Sequence, residues 1–150
     1  MTVIQFQRDI DFPAPSVWAV LEDFGNMSWA QGLSRVEIMG EGVGMTRRLH
    51  MDGMEPIDEV LESMEPEIMA FSYSIPRGLP LPVDDYLARA RLEALESERT
   101  RVNWTCECTP RDPEMDPAEL EKMIHATYNL LVDMVSAHLE RNIAISADAG

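Results

Sequence analysis

The side chains that could act on a small molecule are few and spread over several segments. Arg47, Arg48 and His50 alternate within Met45–Met51. As a strand, this run presents either Arg47 with Leu49 and Met51, or Arg48 with His50, to one face. Glu59 lies in the next such run. An arginine beside a glutamate on neighbouring strands can simply brace a sheet. It can also hold a carboxylate, enolate or carbonyl oxygen while the glutamate orients the guanidinium. A guanidinium withdrawn from water needs a partner in either case. Tyr73 and Tyr86 combine an aromatic body with a hydroxyl, which suits them to an apolar pocket or to a core with a local hydrogen bond. Trp104 can serve as a wall or as packing. Tyr128, His125 and Asp133 fall in the last amphipathic segment. His125, His50 and Glu59 are the candidate proton carriers. No set of residues has the spacing of a nucleophilic triad.

Two further motifs read as structure. Gly40-Glu41-Gly42-Val43-Gly44 fits neither GxGxxG nor GxxxxGK[ST], so it predicts a hairpin connection. Cys106 and Cys108 would share one face of a strand, a geometry poorly suited to a disulfide. With three scattered histidines they match no zinc pattern. They are expected to be two reduced core residues, and neither a metal nor another cofactor is implied.

The elements that must position these residues follow from periodicity. Val3–Phe12 reads as a strand, with Ile4, Phe6, Ile10 and Phe12 on one parity. Pro13 and Pro15 end it, and a short helix is predicted from Ser16, with Val17, Trp18, Leu21 and Phe24 on its apolar face. Asn26–Gly32 predicts a second short helix or a turn holding Trp29. Strands follow at Leu33–Met39, Met45–Met51, Ile57–Met64 and Met69–Ile75. The segment from Pro76 to Pro82 cannot continue a ladder, because its prolines lack donors. Its leucines suit either a lid over something apolar or a packed surface loop.

Asp85–Leu95 and Thr100–Thr109 are the clearest strand pair. Tyr86, Ala88, Ala90, Leu92 and Ala94 share one face of the first, and Val102, Trp104, Cys106 and Cys108 one face of the second. The small side chains of Ala88 and Ala90 would leave room beside the sheet. Asp116-Pro117-Ala118-Glu119 is a helix start, with an Asp cap, Pro at the first position and Glu at the third. Leu120, Met123, Ile124, Thr127, Leu131, Met134, Val135 and Leu139 then trace one face of a helix reaching at least Leu139. Fraying is expected from Ser146 to Gly150. The layout is one α+β domain over residues 1–150, a curved antiparallel sheet of six or seven strands wrapped around a long C-terminal helix.

Composition narrows the partners. The chain carries 12 Lys and Arg against 27 Asp and Glu, a formal net charge of −15. Such a surface repels phosphate backbones and anionic headgroups, which argues against nucleic acid and against polybasic membrane attachment. No apolar stretch approaches the roughly 18 residues of a spanning helix, so no stable membrane insertion is expected. The N-terminal residues lack signal-peptide features, and a cytoplasmic location is the expectation. An exposed edge strand would support a homodimer.

The opening Ile10-Asp11-Phe12-Pro13-Ala14-Pro15-Ser16-Val17-Trp18-Ala19-Val20-Leu21-Glu22-Asp23-Phe24 resembles the start of the polyketide cyclase/dehydrase and lipid-transport family, within the SRPBCC (START and Bet v 1-like) superfamily. Trp29, the Gly42-Val43-Gly44-Met45-Thr46-Arg47 hairpin, Glu59, Tyr73, Tyr86, Trp104 and the final helix extend the resemblance over residues 3 to 142. It implies a helix-grip fold with a cavity between sheet and helix, and an inward parity of Arg47, Leu49 and Met51. Members bind sterols, lipids, hormones or polyketides, and some are aromatases or cyclases.

Three functions stay open at this point. One is binding of a hydrophobic or aromatic oxygen-bearing molecule by Arg47, Glu59, Tyr73, Tyr86, Ala88, Ala90, Trp104 and Tyr128. Another is aldol cyclisation and dehydration of a polyketide, with Arg47 stabilising an enolate and Glu59 or a histidine moving the proton. The third is a structural or protein-interaction role with a filled cavity.

Overall fold

The computed structural model describes the backbone of residues 1–149 and the side chains of residues 1–145. Seven strands form one antiparallel sheet: β1 (Thr2–Ile10), β2 (Arg35–Met39), β3 (Thr46–His50), β4 (Ile57–Glu65), β5 (Ala70–Arg77), β6 (Val83–Glu96) and β7 (Arg99–Pro110). Their order is β1-β7-β6-β5-β4-β3-β2, a meander from β2 to β7 with β1 returning beside β7. Helix α1 (Ala14–Glu22) follows β1, and helix α2 (Pro117–Ala149) ends the chain. The curved sheet grips α2, which is the α+β helix-grip arrangement. Among the described residues no helix is long and apolar enough to cross a membrane.

The sheet's inner face follows the alternation of the sequence. Ala88 pairs with Cys106 and Ala90 with Trp104 across β6 and β7, all four buried. On the other side of β6, Tyr73 pairs with Ala88 and Phe71 with Ala90. Each alanine thus lies beside bulky neighbours, and the room it leaves is taken by the rings of Phe71, Tyr73 and Trp104. Small beside large is how a pleated face reaches interior packing density.

Helix α2 starts as its sequence dictates. Asp116 Oδ1 accepts the Ala118 N–H at 3.0 Å, and Pro117 has no N–H to leave unpaired. Its 33 residues span about 50 Å. The buried line is Leu120, Ile124, Tyr128 and Val132, continued by Val135 and Leu139. Steps of four from Leu120 put Tyr128 and Val132 at the centre of the stripe. Met123, assigned to that stripe by the sequence pattern, is therefore on a flank and 39% exposed. Leu131 and Met134 are half-buried on the same flank. The helix continues through Ala149, beyond Ser146 where fraying was expected, and Gly150 lies outside the described residues.

Local departures have local causes. α1 begins at Ala14 rather than Ser16, because the Pro13 carbonyl already accepts the N–H groups of Ser16 and Val17 at 3.0 and 3.2 Å. Asn26–Gly32 is a series of turns, with the Asn26 side chain accepting the Ser28 N–H. β5 passes Pro76 and ends at Arg77: the register jumps from Val60–Ser74 to Asp58–Arg77, so the proline is not asked for a ladder bond. The free edge of β1 is covered by α2, where His125 Nε2 donates to the Gln5 carbonyl at 2.8 Å and Asp133 meets Arg8 at 2.7 Å.

Ile124 is fully enclosed at the centre of the α2 contact. Ile124→Asp is expected to destabilise the domain by more than about 3 kcal/mol, measured by urea denaturation, because it buries an unpaired carboxylate. An unchanged midpoint would overturn this packing of α2.

Candidate ligand-binding site

A cavity of about 540 Å³ lies between α2 and the β3–β6 part of the sheet. Leu49, Ile57 and Ile75 of the sheet, with Met51 just after β3, line one side. Leu130, Leu131 and Met134 of α2 line another, and the turn residues Met27, Ala30 and Leu33 a third. Leu79, Pro80 and Leu81 close part of the mouth, where Leu130 is 58% exposed. The polar side chains in this wall are Glu59, Tyr73, Tyr86, Tyr128, Thr127 and Gln31, and Glu59 is the one charged residue among them. Behind it is a chamber of about 50 Å³, which touches Arg47, Trp29, Phe71 and Trp104 and shares Met27, Leu49, Glu59, Tyr73 and Leu131 with the main cavity.

The parity of β3 decides which arginine enters. Arg47 and Leu49 point inward and are buried. Arg48 and His50 face the other side of the sheet. There Arg48 makes two hydrogen bonds to Asp58, at 2.7 and 3.1 Å, and His50 Nε2 lies 2.9 Å from Glu37. The bond from Arg48 holds the Asp58 carboxyl below its ordinary value.

Arg47 faces Glu59 directly across β3 and β4. Its Nε donates to Glu59 Oε1 at 2.7 Å and its Nη1 to the Phe24 carbonyl at 3.0 Å. The guanidinium lies 3.8 Å over the Phe24 ring and 5.7 Å from that of Tyr73. Arg47 therefore reaches only the small chamber, and Glu59 stands between it and the main cavity.

A chain of hydroxyls forms the inner wall. Trp104 Nε1 donates to the Tyr73 hydroxyl at 3.2 Å, and the Tyr86 and Tyr128 hydroxyls are hydrogen-bonded to each other. Burial pushes all three phenols up, and at Tyr73 the charge of Glu59 adds to the effect. They stay protonated across the physiological range. Trp104 stacks on Tyr128 with ring centres 5.3 Å apart and contacts only the small chamber. Ala88 and Ala90 line neither space. His125 and His50 are also outside both, and His125 Nε2 donates its hydrogen bond to the Gln5 carbonyl.

The loop from Gly78 to Pro82 is pinned as well as apolar. Gly78 has φ +78, and a Cβ there would lie 2.0 Å from the Pro56 carbonyl oxygen. Only glycine allows this approach. The loop is thus a seated wall of the cavity. Met27, Ala30 and Leu33 are lining residues that the sequence reading did not single out. They lie in irregular turns, where apolar residues have no period to mark their direction.

Cys106 and Cys108 are free and buried on the inner face of β7. Burial pushes the Cys106 thiol up and that of Cys108 up to about 11. Among the described residues no three His, Cys, Asp or Glu side chains converge as a metal site would require.

Sheet, gripped helix and the apolar cavity between them define a helix-grip fold. The chain belongs to the polyketide cyclase/dehydrase and lipid transport family, which it matches over residues 1–140. Among solved structures it is similar to an uncharacterised protein from Bacillus thuringiensis, at 22% identity and a TM-score of 0.77, covering 91% of this chain and 98% of that one. It is similar to the protein XoxI from Bacillus cereus at 22% identity and a TM-score of 0.76, covering 92% and 95%. It is also similar to norcoclaurine synthase from Thalictrum flavum, solved in complex with dopamine and hydroxybenzaldehyde, at 17% identity and a TM-score of 0.71, covering 93% and 87%. At these identities the likeness concerns the fold. No curated protein sequence matches the chain.

Two outcomes follow from this packing. Gly78→Ala is expected to lower stability by about 1–3 kcal/mol and to speed proteolysis within residues 76–82, since strain and overlap displace the loop. Wild-type stability and cleavage would show that the loop is not seated on Pro56. The second concerns alkali. The unfolded chain loses its thiol protons near the ordinary value of 9.0, whereas folded Cys108 keeps its own to about 11. The unfolded state then binds fewer protons, so stability falls as pH rises through that window and is level below it. Urea midpoints across the window measure this, and a midpoint that rises with pH would contradict the burial of the thiols.

Proposed function

We propose that this protein binds a hydrophobic or aromatic small molecule bearing at least one oxygen or nitrogen group. The observation that carries this reading is the unfilled cavity of about 540 Å³, apolar over most of its wall, with Glu59, Tyr73, Tyr86 and Tyr128 on its inner side. Its volume suits a drug-sized molecule, for which apolar contact provides affinity and a few polar groups set orientation. A structural domain with a closed core would have filled this space with side chains. Family membership and the ligand-bound norcoclaurine synthase fold support the same reading.

Within it, Glu59 and the three tyrosines are the proposed ligand contacts, and Arg47 is a positioning residue for Glu59. Cyclisation with Arg47 stabilising an enolate is less well supported, because its Nε and Nη1 are bonded to Glu59 and the Phe24 carbonyl and Arg47 lines only the small chamber. Nor does a histidine reach the cavity to move a proton. Ala88, Ala90 and Trp104 shape the site from behind by setting the positions of Tyr73 and Tyr128.

The test uses N-phenylnaphthylamine, a neutral probe that fluoresces when taken out of water. Saturable uptake of one equivalent is expected. Ala30→Trp, which adds bulk at the cavity wall, is expected to weaken uptake by about tenfold or more. Absence of saturable uptake by the wild-type protein, or equal uptake by a folded Ala30→Trp variant, would sink the binding reading. Native mass spectrometry of gently purified protein and analysis of its organic extract would then identify a retained ligand.

A further inference from the structure

We infer that the cavity selects ligands presenting a hydrogen-bond donor, a hydroxyl or an ammonium, to Glu59, and rejects carboxylates. This rests on the cavity being a ligand site, and it adds the charge and polarity of the ligand that the site would accept.

Glu59 is the one charged side chain among the described residues lining the main cavity. Its Oε1 accepts from Arg47 Nε, and among the described residues no protein donor is bonded to Oε2. A carboxylate oxygen beside an apolar space is strongly favoured by a donor and strongly disfavoured by a second anion. The compensating cation is on the wrong side to help an anionic ligand. Arg47 is held behind Glu59 by its bond to the Phe24 carbonyl and by the Phe24 ring, and it touches only the inner chamber.

The tyrosines do not reverse this polarity. One of the Tyr86 and Tyr128 hydroxyls donates to the other, and Tyr73 accepts from Trp104 while keeping its own O–H; these are neutral donors and bring no positive charge to offset Glu59. At the Tyr73 hydroxyl the charge of Glu59 adds to burial in disfavouring the phenolate. An arginine and a glutamate in sequence suggest an anion clamp. Their order in depth makes the opposite: the acid is presented and the base is withheld.

The discriminating experiment is a titration at neutral pH with four molecules sharing one ring system: naphthalene, naphthol, naphthylmethylamine and naphthoate, substituted at the same ring position. Naphthalene reports the cavity alone. Naphthol or naphthylmethylamine is expected to bind at least about fivefold tighter than naphthalene, and naphthoate at least about tenfold weaker than naphthol. The two donor arms distinguish a hydroxyl ligand from an ammonium ligand. Glu59→Gln, which keeps an acceptor for Arg47 but removes the charge, is expected to bring naphthoate within about threefold of naphthol. Should that variant fail to fold, Arg47→Met/Glu59→Met removes both charges and is expected to level the series in the same way. If naphthalene and naphthol both fail to bind, the cavity reading itself is wrong. If naphthalene binds and naphthoate binds as well as naphthol, the binding reading stands and this inference is overturned. Undiminished discrimination in a folded Glu59→Gln protein would also overturn it, by assigning the selectivity elsewhere.

Discussion

A guanidinium taken out of water must be paired and hydrogen-bonded, and Arg47 is enclosed where β3, β4 and the end of α1 meet. The pair it makes with Glu59 costs much of its Coulombic gain in desolvation, so it adds little net stability compared with two apolar residues of the same volume. What it fixes is direction. With Oε1 held by Arg47 Nε, the Glu59 carboxylate cannot turn freely, and the Phe24 carbonyl prevents the guanidinium from following it into the cavity. Three parts of the chain that are distant in sequence are thereby held in one order of depth.

The cavity depends equally on where aromatic bulk has been placed. Phe71, Tyr73 and Trp104 fill the space beside Ala88 and Ala90, so one end of the sheet is packed solid against α2. The Tyr86–Tyr128 hydroxyl pair then joins sheet to helix at the border of that packed region. Beyond it the facing residues are Leu49, Met51, Leu131 and Met134, which do not close the gap. Packed end and hollow end are thus consequences of the same strands, and the tyrosines lie at the boundary with an aromatic body in one and a hydroxyl edge toward the other. Methionines on the hollow side can adjust to different ligand shapes at small cost.

Much of this was legible because it is periodic. The alternation of β6 and β7, the Asp116-Pro117 start of α2 and the strand run after the glycine hairpin each have a local physical signature; the parity of β3 stayed open between Arg47 and Arg48 until the fold placed Arg47 inward. The departures share a different cause. Met123 and Val132 exchanged roles because a stripe of mixed three- and four-residue steps has more than one centre until a partner surface selects it. Ala88 and Ala90 looked like space for a ligand because a strand pattern shows a small residue but not the ring that a neighbouring strand brings beside it. Arg47 and Glu59 were read as a pair, but which of them would face the cavity depends on the Phe24 carbonyl, and a backbone acceptor in an irregular segment has no sequence signal. Met27, Ala30 and Leu33 were missed for that reason too.

The acidity of the chain and the polarity of the site are separate physical matters. A net charge of −15 is carried largely on solvated surface, where salt screens interactions beyond about 8–10 Å. Such charge governs solubility and encounters with polyanions, and it has little reach into an enclosed apolar space. Glu59 is different because it is nearly buried and borders the cavity, where solvent screening is weaker than at the surface. One carboxylate there weighs more on ligand choice than the many acids outside. The surface can therefore drift in composition without altering what the cavity accepts, while a change in the depth order of Arg47 and Glu59 would invert the site's preference with no change in net charge at all.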